Sequence, residues 1–118
     1  MHIDHITIRT EKLEGSIVFY EMTAGLKIVR DLRKIDAQIV FLADADGDTR
    51  IELIEAPAGR GFGGSVISIG FHTDDAAGLR EKLLKDGFQA SEIVSPNSSV
   101  RFFFVPDPNG VQVQFVEQ

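Results

Sequence analysis

The chain has 118 residues, 43% of them hydrophobic and 25% charged, enough for one real core and against wholesale disorder. Its formal charge of −6 and pI near 4.9 come without any basic run, which argues against a phosphate-backbone binder and suits a cationic ligand mildly. With no cysteine, disulfides and thiolate metal sites are excluded.

In chain order, Met1 to Asp4 leads straight into a strand, with no basic flank, apolar h-region or cleavage site. No apolar run approaches membrane-spanning length, so a cytoplasmic protein without membrane or nucleic-acid partners is expected. Ile3 to Arg9 alternates, with Ile6 and Ile8 against His5, Thr7 and Arg9, and Asp4 is the one exception. A helix then opens at Thr10 or Glu11, carries Leu13, Ile17 and Tyr20 on one face, and stops at Gly25. Strands are predicted over 27–34, 37–42 and 49–56, the first two joined tightly near Ile35 and Asp36. Residues 43–48 (ADADGD) form a turn; no bidentate Glu follows at the place a calcium loop requires.

Residues 57–64 (PAGRGFGG) read as a Gly-rich hinge. They lack the Lys-Ser/Thr and the following helix of a P-loop. Beyond them the pattern recurs: a strand over 66–73, a helix over 74–86 stopped by Gly87, a strand over 90–95, and a closing hairpin over 101–117. In that hairpin Pro106 and Pro108 exclude helix, while Asn109 and Gly110 tolerate positive φ.

The two halves are copies. Val40–Glu55 aligns without a gap on 102–117, putting Phe41 on Phe103, Leu53 on Phe115 and Glu55 on Glu117, 62 residues apart. His5–Gly15 lies over Ser68–Gly78 at a spacing of 63. A two-copy repeat of this length implies a duplicated half-domain, each copy βαβββ: halves 1–56 and 65–118 of a single 1–118 domain, hinged at 57–64. The expected fold is α+β, two modules forming a curved, cup-like mixed sheet with the helices outside.

Strand alternation decides which side chains share a space. If Ile6 and Ile8 pack beneath their helix, His5, Thr7 and Arg9 face the other way, together with Arg50, Glu52 and Ile54. In the second copy the matching set is Ser68, Gly70 and His72 with Gln112, Gln114 and Val116. The expected core is Ile6, Ile8, Leu13, Ile17, Leu53, Ile69, Phe71, Leu79, Leu83, Val113 and Phe115. Of the Phe102–Phe104 run, alternation on the repeat turns only Phe103 toward the cleft, as it turns Phe41. Arg9, Arg50, Arg101 and His72 are candidates for gripping an anionic substrate, since Arg forks suit carboxylates. The same residues also fit as rim charges. Ser68 and Phe103 complete the candidate substrate-binding set.

HITIRT, SIVFY with the following Gly-Leu, IELIE, DDAAGLREKLLKDG and FFFVPDPNGVQVQFVE, in this order, resemble the vicinal oxygen chelate superfamily along the whole chain. That superfamily includes glyoxalase I, methylmalonyl-CoA epimerase, extradiol dioxygenases and bleomycin-resistance proteins. The resemblance implies a cup built from two halves, often of different subunits, hence a C₂ homodimer around a small-molecule ligand. It implies metal ligands at a His on the first strand and a Glu on the fourth strand of each half. His5 and Glu52 keep that pattern; Ser68 and Gln114 depart from it. His72 does not replace the missing His, lying about 13 Å further along its strand.

Two readings follow from the resemblance. In one, a glyoxalase I-like metal-assisted lyase or isomerase acts on a small substrate with neighbouring oxygens. Its divalent metal (nickel, zinc, cobalt, manganese or iron) is held by His5, Glu52 and Gln114, and Glu52 is the catalytic base. In the other, a metal-free, bleomycin-resistance-like protein binds a small molecule without chemistry. A ring-opening dioxygenase is disfavoured, because a two-His, one-carboxylate set needs a second His at position 68.

Overall fold

In the computed structural model, which describes residues 3–61, 63 and 67–118, β1 (His5–Thr10) runs parallel to β4 (Arg50–Glu55), with α1 (Leu13–Ala24) between them in the chain. β2 (Lys27–Asp31) and β3 (Ile39–Ala43) complete a four-stranded sheet ordered β1-β4-β3-β2. The second copy repeats this with β5 (Ser68–His72), α2 (Ala76–Lys85), β6 (Val94–Asn97), β7 (Val100–Pro106) and β8 (Gln112–Glu117), ordered β5-β8-β7-β6. The chain is thus α+β, in two units bounded as Met1–Gly63 and Gly64–Gln118, each with its own mixed sheet. Of the segments expected from the sequence, residues 62 and 64 of the hinge, and 65 and 66 before β5, lie outside the described residues.

In the first unit the core forms where α1 covers the sheet. Leu13, Ile17 and Tyr20 are buried with Ile8, Val40, Leu42, Ile51 and Leu53. Two buried hydroxyls satisfy one another there, Thr10 Oγ1 lying 3.0 Å from Ser16 Oγ. Gly25 ends α1 in the left-handed conformation at φ 66°, and its N–H reaches the Tyr20 carbonyl. In the second unit Leu83 and Ala76 of α2 are buried with Phe103, Val105, Val113 and Phe115. Asp75 caps that helix through Gly78 N–H.

Several expectations are corrected. β2 ends at Asp31, and a 3-10 turn over Leu32–Ile35 replaces the tight join. Asp31 causes this: its Oδ1 accepts the Arg33 N–H at 3.0 Å, while the Arg33 guanidinium forks onto Asp31 and reaches Glu14 of α1. Ile6 is 37% exposed, because β1 is the edge strand of its sheet and Ile6 has a covered neighbour, Ile51, on one side only. Ile69 and Phe71 on the edge strand β5 are half-buried for the same reason; Leu79 of α2 is also half-buried.

The largest correction is Phe103. It is fully buried, stacked on Phe115 with centroids 5.4 Å apart, and does not share a face with Gln114. The β3–β4 connection spans residues 44–49 and the β7–β8 connection only 107–111. The shorter loop shifts β7 by one residue relative to β3, and a one-residue shift exchanges the faces of a strand. Phe41 stands opposite Glu52, whereas Phe104 stands opposite Gln114. Asp107 holds the short loop closed, its Oδ1 accepting the N–H groups of Asn109 and Val111, with Gly110 at φ 84°.

Candidate functional site

Each sheet has one face under its helix and one face away from it, and the candidate residues sort by strand parity. On β1 and β4 of the first unit, His5, Thr7 and Arg9 pair across to Arg50, Glu52 and Ile54. Phe41 of β3 lies beside Glu52 on the same face.

Glu52 is the centre of this face. Thr7 Oγ1 donates to Glu52 Oε1 at 2.6 Å, and His5 Nε2 stands 3.7 Å from the same oxygen. The other imidazole nitrogen, Nδ1, lies 2.8 Å from Asp4 Oδ2. A carboxylate only accepts, so Nδ1 carries a proton, and Nε2 is the nitrogen whose lone pair a cation beside Glu52 would take up. Two acceptors facing one another at this distance are complementary to a shared cation. The arrangement has the pattern of a metal-ligating His whose second nitrogen is held by a carboxylate.

Charge and aromatic contacts frame this pair. Arg50 Nη2 reaches Asp4 Oδ2 at 2.7 Å, and its guanidinium lies 5.0 Å from the Phe41 ring centroid. Phe41 meets His5 edge to face at 5.8 Å. The bonds from His5 and then from Arg50 hold the Asp4 carboxyl below the usual carboxylate range. Arg9 is exposed two residues beyond Thr7.

The second unit repeats the geometry with different chemistry. Ser68 pairs with Gln112, and Gly70 pairs with Gln114. Ser68 therefore bears the same diagonal relation to Gln114 that His5 bears to Glu52. Gly70 replaces Thr7, so the hydroxyl that meets Glu52 has no counterpart. His72 sits at the far end of β5, exposed, with Nε2 3.0 Å from Asp74 Oδ1. Arg101 pairs with Glu117, which puts it on the helix-side parity of Phe103 and away from Gln114. The register shift that moved Phe103 moved Arg101 with it.

Among the described residues, no group of three or more His, Cys, Asp or Glu side chains is placed to hold a metal ion. The donors that do fit a divalent ion are His5 Nε2 and Glu52, two strong ligands; Gln114 and Ser68 offer neutral oxygens, which hold such ions weakly. Sequence reasoning gave no role to Asp4, and placed Thr7 on this face without its bond to Glu52. Asp4 was visible as the break in alternation beside His5, and Thr7 as a hydroxyl directly opposite Glu52. Phe104 was missed through the register.

A family model described as Glyoxalase/Bleomycin resistance protein/Dioxygenase superfamily matches residues 2–115. The chain is 32% identical to an uncharacterized Bacillus subtilis protein, YwbC, with 98% of this chain and 97% of that protein covered. It is 27% identical to a lactoylglutathione lyase of Haemophilus influenzae, over 99% of this chain and 93% of that one. Among solved structures, TnmS3, an antibiotic binding protein from a Streptomyces species, has a TM-score of 0.79 at 17% identity, with 99% and 95% of the two chains covered. A lactoylglutathione lyase from Agrobacterium tumefaciens has a TM-score of 0.72 at 20% identity, covering 98% and 92%. At such identities the structural likeness speaks for the fold alone.

Proposed function

Because the chain belongs to the glyoxalase/bleomycin resistance protein/dioxygenase superfamily, we propose that its His5–Glu52 face is the reacting half of a glyoxalase I-like lyase or isomerase. The substrate is a small molecule with neighbouring oxygens. The observation that carries the reading is the opposition of His5 Nε2 and Glu52 Oε1 at 3.7 Å, with Asp4 and Thr7 fixing each partner from behind. The 27% identity to a lactoylglutathione lyase along nearly the whole chain supports it.

His5 and Glu52 would hold a divalent ion. When bound, that ion supplies polarisation of a substrate carbonyl. The chain's own residues move the proton. Glu52 removes it from the carbon next to the carbonyl and returns it to the neighbouring carbon, and the Thr7 hydroxyl on Oε1 turns Oε2 toward the substrate. Gln114 does not share this task, since an amide accepts no proton near neutral pH. Transfer therefore occurs on one face only. Arg50 and Arg9 are charged to meet an anionic group of the substrate.

The test is thioester formation from the glutathione adducts of methylglyoxal and phenylglyoxal, with nickel, zinc, cobalt, manganese and iron supplied in turn. Wild type should show metal-dependent turnover, falling by about 100-fold or more in Glu52→Gln, the usual loss for a general base. Ser68 and Gln114 favour a second reading, metal-free binding of a small molecule. Absence of turnover with every metal and both adducts would support that reading and overturn the first.

A further inference from the structure

A glycine stands in the middle of β5, where it costs about 0.5–1 kcal/mol relative to Ala. Neither crowding nor backbone conformation requires it. Gly70 has no positive φ, and a Cβ there would meet only Gln114 Oε1, at an ordinary 3.5 Å. What the missing side chain leaves is open surface beside the Gln114 amide. Among the described residues nothing hydrogen-bonds that amide. Directly across from Gln114 on β7 is Phe104, half-buried, with Phe102 edge to face at 5.7 Å and 81°. Among the described residues, the only titratable side chain that strand parity puts on this face is His72, at its end and engaged by Asp74.

We propose that Gly70, Gln114, Phe104 and Phe102 form a binding platform for a planar, uncharged ring that carries both a hydrogen-bond donor and an acceptor, such as an aromatic carboxamide. Two aromatic walls supply dispersion and quadrupole contact, and a free primary amide offers one acceptor and two donors to a matching edge. A charged ring gains little here, because His72 lies at the end of the face and is engaged by Asp74, whereas the first unit's face carries Arg9 and Arg50. This rests on the reading of these sheet faces as small-molecule sites. It does not depend on Glu52 moving a proton.

Benzamide and benzoate are the probes, the same ring with and without charge, titrated against the full chain while amide resonances are followed by NMR. Benzamide should move the Gly70 N–H and the Gln114 side-chain NH₂ saturably, and benzoate should leave both in place. Gly70→Val and Phe104→Ala should each weaken benzamide at least tenfold. Gly70→Ala, whose added methyl meets only the Gln114 oxygen, should weaken it with thermal stability retained, so a misfolded valine variant leaves the test intact. Glu52→Gln should bind benzamide as wild type does, so failure of the proton-transfer reading is scored separately. Equal shifts with both probes, no shift with either, or unchanged benzamide affinity in Gly70→Ala and Phe104→Ala would overturn the platform. So would Gly70→Val changing only the oligomeric state, which would make the occupant a second copy of the chain.

Discussion

Replacing Phe103 by Ala should cost far more stability than replacing Phe104 by Ala, although the residues are neighbours with identical side chains. Phe103 is fully buried and stacks on Phe115 at 5.4 Å, so truncation removes transfer energy, leaves a cavity and breaks an aromatic pair. A buried Phe→Ala change costs about 3–5 kcal/mol. Phe104 is half-buried, and its ring contact is the edge-to-face one with Phe102. Its loss should cost about 1 kcal/mol, in the ordinary range for a partly exposed position. For a chain of this size each kcal/mol moves the melting temperature by roughly 4 °C. Phe103→Ala should then melt on the order of 12–20 °C below wild type and Phe104→Ala about 4 °C below. Thermal unfolding followed by far-ultraviolet circular dichroism reads the difference. Equal losses, or a larger loss for Phe104→Ala, would refute the one-residue register shift of β7 and the platform built on it.

Acid stability should depend on Asp31, whose carboxyl the Arg33 side-chain hydrogen bond pulls down to about 2. A folded-state value below the ordinary one stabilises the fold above about pH 4 and loses that contribution as pH falls toward 2. Arg33→Ala should flatten this part of the curve of urea midpoint against pH; an unchanged curve would count against the clamp. Thr7→Val should lower stability by about 1–2 kcal/mol in urea unfolding, since it removes a donor to a carboxylate, and Thr7→Ser should restore it. Each sheet has two edge strands, and Val18 and Met22 are exposed on α1, so a C₂ homodimer is the proposed assembly. Sedimentation showing only monomer at tens of micromolar, a range typical of weak dimers, would contradict it.

The duplication was legible because strand periodicity survives sequence drift. HITIRT and SIGFH alternate alike, and Ile51 and Leu53 recur as Val113 and Phe115, so the helix-covered faces, and with them the common face of His5 and Glu52, followed from parity. Phe103 was misplaced because a gapless repeat assumes equal loops. Three consecutive phenylalanines carry no alternation to betray a one-residue slip. The 3-10 turn was hidden for a different reason: Leu32–Ile35 has the composition of a strand, and only the Arg33 fork onto Asp31, a contact between side chains, turns it. Asp4 was readable as an anomaly, but its role needed the distance to His5 Nδ1.

Whether His5 and Glu52 face a shared cation is tested most directly by calorimetric titration of nickel and zinc into metal-stripped protein. Wild type should bind weakly and lose the ion on desalting; His5→Ala should bind at least tenfold more weakly still. Binding should weaken as the pH falls, because His binds metal only when neutral. Equal heats for wild type and His5→Ala would contradict the assignment.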